Sequence, residues 1–189
     1  ITDNSASAAD LNTINAATTL AVDATAIATI SASNLGAIST LGGAITGGQF
    51  AATNAIATIN VSGDAIDYTT LGSEIDRFDD FRTDPAIATF VLADTTTVTL
   101  GSQTEVDNFL ADVTANLVSV SGASQAVTVT AAPGGVDISH TDAIALAAAA
   151  GGTVTATIVS GTTVDQLKTL YDAGETNAYT CLLYTSPSP

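Results

Sequence analysis

The chain has 189 residues and a formal net charge of -16, with three Lys plus Arg against 19 Asp plus Glu. That balance excludes most nucleic-acid binders, because nothing here neutralises phosphates, and it argues against docking on anionic membranes. With one His, one Cys, no Met and no Trp, the parts list for a metal site or a Cys/His nucleophile is nearly empty, and a disulfide scaffold is excluded. About 35 Ala and about 32 Thr fill roughly a third of the chain. Aromatics are 5%, so the buried side chains must be mostly Ala, Val, Ile and Leu, and so thin a core suits closely spaced layers. No apolar run reaches the length that spans a membrane.

Along the chain, Ile1-Thr2-Asp3 reads as the end of a strand, followed by a helix over about residues 7 to 17. Ala26-Ile27-Ala28-Thr29-Ile30 then recurs as Ala55-Ile56-Ala57-Thr58-Ile59 and as Ala86-Ile87-Ala88-Thr89-Phe90. Ala126-Val127-Thr128-Val129-Thr130 and Val154-Thr155-Ala156-Thr157-Ile158 are weaker echoes. Each of these runs reads as a strand, apolar on both faces in the first three and alternating in the last. Between them lie helical stripes: Leu35, Ile38 and Leu41; Leu71, Ile75 and Phe78; Val106, Phe109, Leu110 and Val113; Val164, Leu167 and Tyr171. Ser7 before Asp10, Ser102 before Glu105 and Thr163 before Gln166 are capping-box starts, and Gly42-Gly43, Gly151-Gly152 and Gly174 mark ends. Thr95 to Leu100 and Leu117 to Val120 are extra strand candidates within a longer step between repeats.

The spacing predicts an α/β fold of repeated strand–short helix units of about 30 residues, a parallel-strand, solenoid-like array. Residues 1–84 form a first repeat block and 85–178 a second block with an insertion, the segment Glu74 to Asp84 marking the joint. Residues 179–189 change composition abruptly, and Cys181-Leu182-Leu183-Tyr184-Thr185-Ser186-Pro187-Ser188-Pro189 resembles translated sequencing adaptor, a non-native tail. The first residue is Ile1 rather than Met, so a leader can lie outside the fragment.

The run Ser7-Ala8-Ala9-Asp10-Leu11-Asn12-Thr13-Ile14-Asn15-Ala16-Ala17-Thr18-Thr19, continuing Leu20-Ala21-Val22-Asp23-Ala24-Thr25-Ala26-Ile27-Ala28-Thr29-Ile30, resembles a repeat of very large secreted surface proteins of marine bacteria, cyanobacteria first among them. The likeness covers residues 1 to about 45 and loosens afterwards. Asn15 stands where that repeat carries Asp, and Ile30-Ser31-Ala32-Ser33 lacks its Thr-Gly turn. The resemblance implies an extracellular, adhesin-like chain influenced by calcium, and it brings no catalytic residues.

Asp76, Asp79, Asp80 and Asp84 are the candidate metal ligands. On a helix, residues 76, 79 and 80 share a face, and hard carboxylate oxygens suit Ca²⁺. A solvated acidic face partnered by Arg77 and Arg82 is the simpler account, since the spacing is not that of an EF-hand loop. His140, between Asp137, Ser139 and Asp142, reads as a turn residue beside a helix cap, since adjacent residues do not make a triad and no GxSxG elbow is present. A Thr-x-Thr face can bind ice only when repeated in register, and the repeats do not keep two outward Thr each. The function expected is that of a non-catalytic structural or adhesive repeat segment at the cell surface, without a cofactor other than Ca²⁺. Its partners are neighbouring repeats, then surface glycans or other cells, with no nucleic acid and no membrane insertion. A glycan- or ice-binding module and a solenoid-borne hydrolase or lyase are the alternatives.

Overall fold

The computed structural model describes residues 1–51, 56–63, 65–80, 88–93, 96–120, 126–129, 137–150, 152–173 and 177–181. In chain order these form β1 (Ser5–Ser7), α1 (Ala8–Ala16), β2 (Val22–Asp23), β3 (Thr29–Ala32), α2 (Leu35–Thr46), β4 (Phe50–Ala51), β5 (Thr58–Val61), β6 (Ala65–Asp67), α3 (Tyr68–Asp80) and β7 (Thr89–Leu92). There follow β8 (Thr97–Leu100), α4 (Gln103–Thr114), β9 (Val118–Val120), β10 (Ala126–Val129), β11 (Asp137–Ile138), α5 (His140–Ala150), β12 (Val154–Ile158), α6 (Val164–Ala173) and β13 (Ala178–Cys181). The fold is mixed α/β, with parallel strands divided among separate sheets rather than joined in one. One sheet runs β1-β3-β5-β7-β9; a second runs β6-β8-β10-β12, with β11 and β13 also on β12; β2 and β4 pair apart from both. The helices pack in chain order, each on the next from α1 to α6.

The repeated Ala-Ile-Ala-Thr runs set the register of the first sheet. Thr29 pairs with Thr58 and Thr58 with Thr89, so Ile30, Ile59 and Phe90 stand in one column that continues to Ala6 and Val118. Ile30, Ile59 and Phe90 are fully buried. Each such side chain stabilises by about 1.5–3 kcal/mol on leaving water, and it can do so only because the next strand and helix cover it. Three residues earlier, Ile27 and Ile56 are also buried; Ile87 lies outside the described residues. The opposite face is polar and open at Ser31 and Asn60, so these strands are covered on one side, not both. A short alternating run carries the same small residues whether one face or two is covered, which is why composition misjudged this.

The later echoes do not continue this column. β10 and β12, built from the Ala126 and Val154 runs, belong to the second sheet, and Leu117 to Val120 supplies the last strand of the first. Thr97–Leu100, within the strand expected over Thr95 to Leu100, forms β8 and pairs with β6 and β10. Thr/Val alternation specifies a half-buried strand without specifying its sheet, so sequence similarity ran ahead of structural equivalence. Ile1–Asp3 carry no strand; β1 begins at Ser5, and the Ile1 amine donates to the Asp23 carbonyl at 3.0 Å. Ala178–Cys181, across the boundary of the compositionally foreign tail, pairs with β12.

Helix starts follow the capping chemistry. The Ser7, Ser102 and Thr163 hydroxyls accept from the amides of Asp10, Glu105 and Gln166, and the Thr163 amide donates back to Gln166 Oε1 at 2.8 Å. Asn34 and Ser139 act likewise on Ala37 and Asp142. α5 and α6 end at Ala150 and Ala173, where Gly151-Gly152 and Gly174 mark ends in the sequence, but Gly42-Gly43 marks none. α2 passes through Gly42-Gly43 and stops at Gly47-Gly48, where the Gly48 amide donates to the Ile45 carbonyl and the Gln49 amide to the Ala44 carbonyl. Gly48 has φ 72°, the left-handed geometry of this closing motif. Asn116, at φ 59°, ends α4 the same way. On α6 the buried residue is Leu170, with Leu167 half-buried, whereas Val164 and Tyr171 face water.

Gly42 remains within α2 because α3 lies against it. A Cβ there would sit 2.9 Å from Arg77 Cδ and 3.1 Å from Glu74 Oε2, whereas one on Gly43 would meet nothing within 4 Å. Gly43→Ala is therefore expected to raise stability by up to about 1 kcal/mol through helix propensity alone. Gly42→Ala makes the same propensity gain but must displace Arg77 and Glu74, so it should come out less stable than Gly43→Ala by about 1 kcal/mol or more. Chemical denaturation of the two variants checks this; equal midpoints would show that α2 and α3 do not approach so closely.

Candidate functional site

A polar grouping lines an open groove of about 390 Å³ between α3 and α4. β6 delivers Tyr68 to the first position of α3, and the helical period then brings Gly72 and Asp76 onto the same side. From α4, Glu105, Asn108 and Asp112 face them. The Tyr68 ring is buried and meets Phe109 edge-on at a centroid distance of 5.7 Å. Its hydroxyl donates to Asp112 Oδ2. Thr69 Oγ1 donates to Glu105 Oε1 at 3.0 Å, while Glu105 Oε2 accepts from the Gly101 amide at 2.6 Å.

Burial pushes the Tyr68 phenol well above its ordinary value, helped by its bond to Asp112 and by the carboxylates of Asp112, Asp76 and Glu105. Burial also raises the Asp112 carboxyl; the Tyr68 bond opposes that rise and the Asp76 charge adds to it. The groove is thus acidic and attracts cations. Among the described residues, no three His, Cys, Asp or Glu side chains come close enough together to hold a metal ion.

Of the expected metal ligands, Asp76 is exposed on α3. Asp79 and Asp80 continue the helix, but their side chains, like the whole of Asp84 and Arg82, lie outside the described residues. Arg77 turns away from Asp76 toward α2: Nη1 lies 3.4 Å from Glu74 Oε2 and donates to the Ser39 carbonyl at 3.1 Å. Glu74 is 2% exposed and accepts from Ser39 Oγ at 2.8 Å. This buried acid between α2 and α3, and the Tyr68–Asp112 bond between α3 and α4, were both missed from sequence. The partners stand 35 and 44 residues apart, and only their helical phases could have suggested the pairing.

His140 opens α5, with Nε2 3.5 Å from Thr141 Oγ1. Ser139 Oγ donates to Asp142 Oδ2 at 2.8 Å and accepts from the Asp142 amide, so its hydroxyl serves the cap. The threonines divide by location. On helices they bond to the carbonyl four residues back, as Thr13, Thr40, Thr46, Thr114 and Thr169 do. On the first sheet, Ser5, Thr29, Thr58 and Thr89 stand in one register row on the face away from Ile30 and Ile59; the next row reads Ser7, Ser31, Asn60, Val91 and Ser119.

No protein-family model, curated protein or solved structure matches the chain.

Because its proton is held more tightly in the folded state, Asp112 contributes stability below the ordinary carboxylate range and loses it as pH rises through the raised value. Asp112→Asn keeps an acceptor for Tyr68 and removes that titration. Thermal melts should therefore show the variant gaining on the parent chain as pH climbs from the acid range toward neutrality. Midpoints that run parallel across that window would contradict it.

Proposed function

We propose that the chain is a non-catalytic structural and adhesive segment of a large extracellular bacterial surface protein, built as a solenoid-like array. The observation that carries this reading is the column Ala6–Ile30–Ile59–Phe90–Val118, kept in parallel register from one cassette to the next. An array of this kind buries its apolar faces unit against unit and grows by adding units, which suits a spacer or coat. The -16 charge keeps such a segment soluble and self-repelling. The likeness of residues 1 to about 45 to secreted repeats of marine bacteria supports the extracellular placement. Its partners are neighbouring repeats of the same parent chain, then glycans or other cells.

The array reading is tested by duplication. Inserting a second copy of residues 29–57 between Ala57 and Thr58 adds one register step. The lengthened chain should fold with one more helix by circular dichroism and melt no lower than the parent, and loss of the cooperative transition rejects the array. For placement, an antibody against the segment should label intact cells that carry this reading frame; labelling only after lysis rejects the surface assignment.

A second reading draws on the in-register hydroxyl row Ser5, Thr29, Thr58 and Thr89. Parallel strands space such hydroxyls about 4.8 Å apart, a regular polar face on which ice or a polysaccharide could lie. Replacing Thr29 and Thr58 with Lys should then abolish retention on an ice or glycan-array surface. Absence of retention by the parent chain removes this reading and leaves the first untouched.

A further inference from the structure

A second open groove, of about 390 Å³, lies at the carboxyl ends of β1, β3 and β5, between the first turns of α1 and α2. In parallel α/β sheets this is the side on which ligands settle, because strands there hand over to helices and leave a crevice. Its chemistry differs from that of the acidic groove between α3 and α4. Among the described residues that line it, none is ionisable. Ala9, Ala32 and Ala37 supply methyl walls, and serine hydroxyls with one carboxamide form the rim.

The rim is only partly committed to the fold. Ser7 Oγ donates to Asp10 Oδ2 at 2.7 Å, and Ser62 Oγ to the Ala32 carbonyl at 3.2 Å. Ser31 and Asn60 stand side by side in register on β3 and β5. Both are exposed, and neither side chain has a hydrogen-bond partner among the described residues. A further group beside the groove is unsatisfied. Asn12 lies one turn along α1 from Ala9, and its Nδ2 donates to the Ala37 carbonyl at 3.0 Å, so its carboxamide spans the two alanine walls. Its Oδ1 is buried and accepts no hydrogen bond. A buried acceptor without a donor is costly, and a hydroxyl arriving between the walls removes that cost.

We propose that this groove is a subsite for a neutral saccharide, one pyranose ring lying with its C–H face on the alanine methyls and its hydroxyls on Ser31, Asn60 and Asn12. Apolar walls with a few placed polar groups suit a small ligand, and a sugar ring carries both kinds of surface. An anion is turned away, because no cation lines the groove, Asp10 stands at its edge beside Ser7, and the chain carries a net charge of -16. A cation finds no carboxylate among the lining residues. A wholly apolar ligand would bury Ser31 and Asn60 unpaired. The proposal deepens the adhesive reading above by giving glycan partners a place on the chain, and it rests on that reading for its biological role. One shallow groove without an aromatic ring binds weakly, and repetition along a parent chain raises the avidity.

NMR titration of the ¹⁵N-labelled chain with cellotriose, maltotriose, laminaritriose and mannotriose tests this. At least one trimer should move the Asn12 and Asn60 side-chain amides and the Ser31 backbone amide saturably, in the millimolar range, while trigalacturonate moves none of them. Ser31→Ala with Asn60→Ala removes two hydrogen-bonding groups and should weaken binding about tenfold or more. Ala9→Leu fills the space and should abolish binding. All three positions are exposed, so the fold is retained. Absence of saturable shifts with every neutral trimer overturns the proposal, as do shifts that persist in both variants or that trigalacturonate reproduces. Each of these results leaves the array reading standing, whereas failure of the duplicated chain to fold would remove the array and leave this local site untouched.

Discussion

A unit of about 30 residues with few aromatics cannot enclose a core of its own. What makes this chain foldable is that each cassette offers its apolar face to the next at a fixed height. Ile30, Ile59 and Phe90 occupy one column because Thr29, Thr58 and Thr89 are held in register by parallel backbone bonds. A slip of one residue would turn every one of these side chains to the solvent face. Register is therefore the constraint from which the rest follows. It fixes where each helix starts, which side of that helix meets its neighbour, and which hydroxyls are left facing water.

Within that frame, polar side chains bind the layers together. Ser39, Glu74 and Arg77 link α2 to α3 across Gly42; Tyr68 with Asp112 and Thr69 with Glu105 link α3 to α4; Gln103 reaches Asp142 on α5. Thr96, fully buried, donates to the Gly63 carbonyl and so ties the start of β8 to the connection between β5 and β6. These links cost desolvation, most of all at Glu74, whose Oε2 has the Arg77 charge beside it and no hydrogen bond. Their gain is in fixing which helix face meets which, a choice that Ala and Thr surfaces make poorly.

How much of this was legible follows from the range of each signal. Local ones were readable. The hydroxyls of Ser7, Ser102 and Thr163 cap the helices their spacing announced, and the stripes Leu35–Ile38–Leu41 and Leu71–Ile75–Phe78 are buried. The recurrence of Ala-Ile-Ala-Thr gave the register of three strands. Signals that depend on a distant partner were not readable. Nothing near Gly42 tells that Arg77 packs on it, so the glycine pair read as a helix end. Val164 and Tyr171 have the period of a buried stripe and are exposed because no helix among the described residues covers that flank. Of the candidate site, the sequence supplied Asp76 and the acidic character of its helix, but Tyr68 and Asp112 meet only through the pairing of α3 with α4.

The placement of the cations has a consequence for how the molecule behaves in solution. Arg77 is engaged with Glu74 between two helices, and Lys168 with Asp172 along α6. Two of only three basic side chains thus have their electrostatic attraction consumed locally. Most of the 19 acids are left to dissolved sodium, magnesium or calcium, which gather as a diffuse sheath. Whatever approaches this protein meets that ionic atmosphere before it meets a side chain, and must displace or share it to make contact.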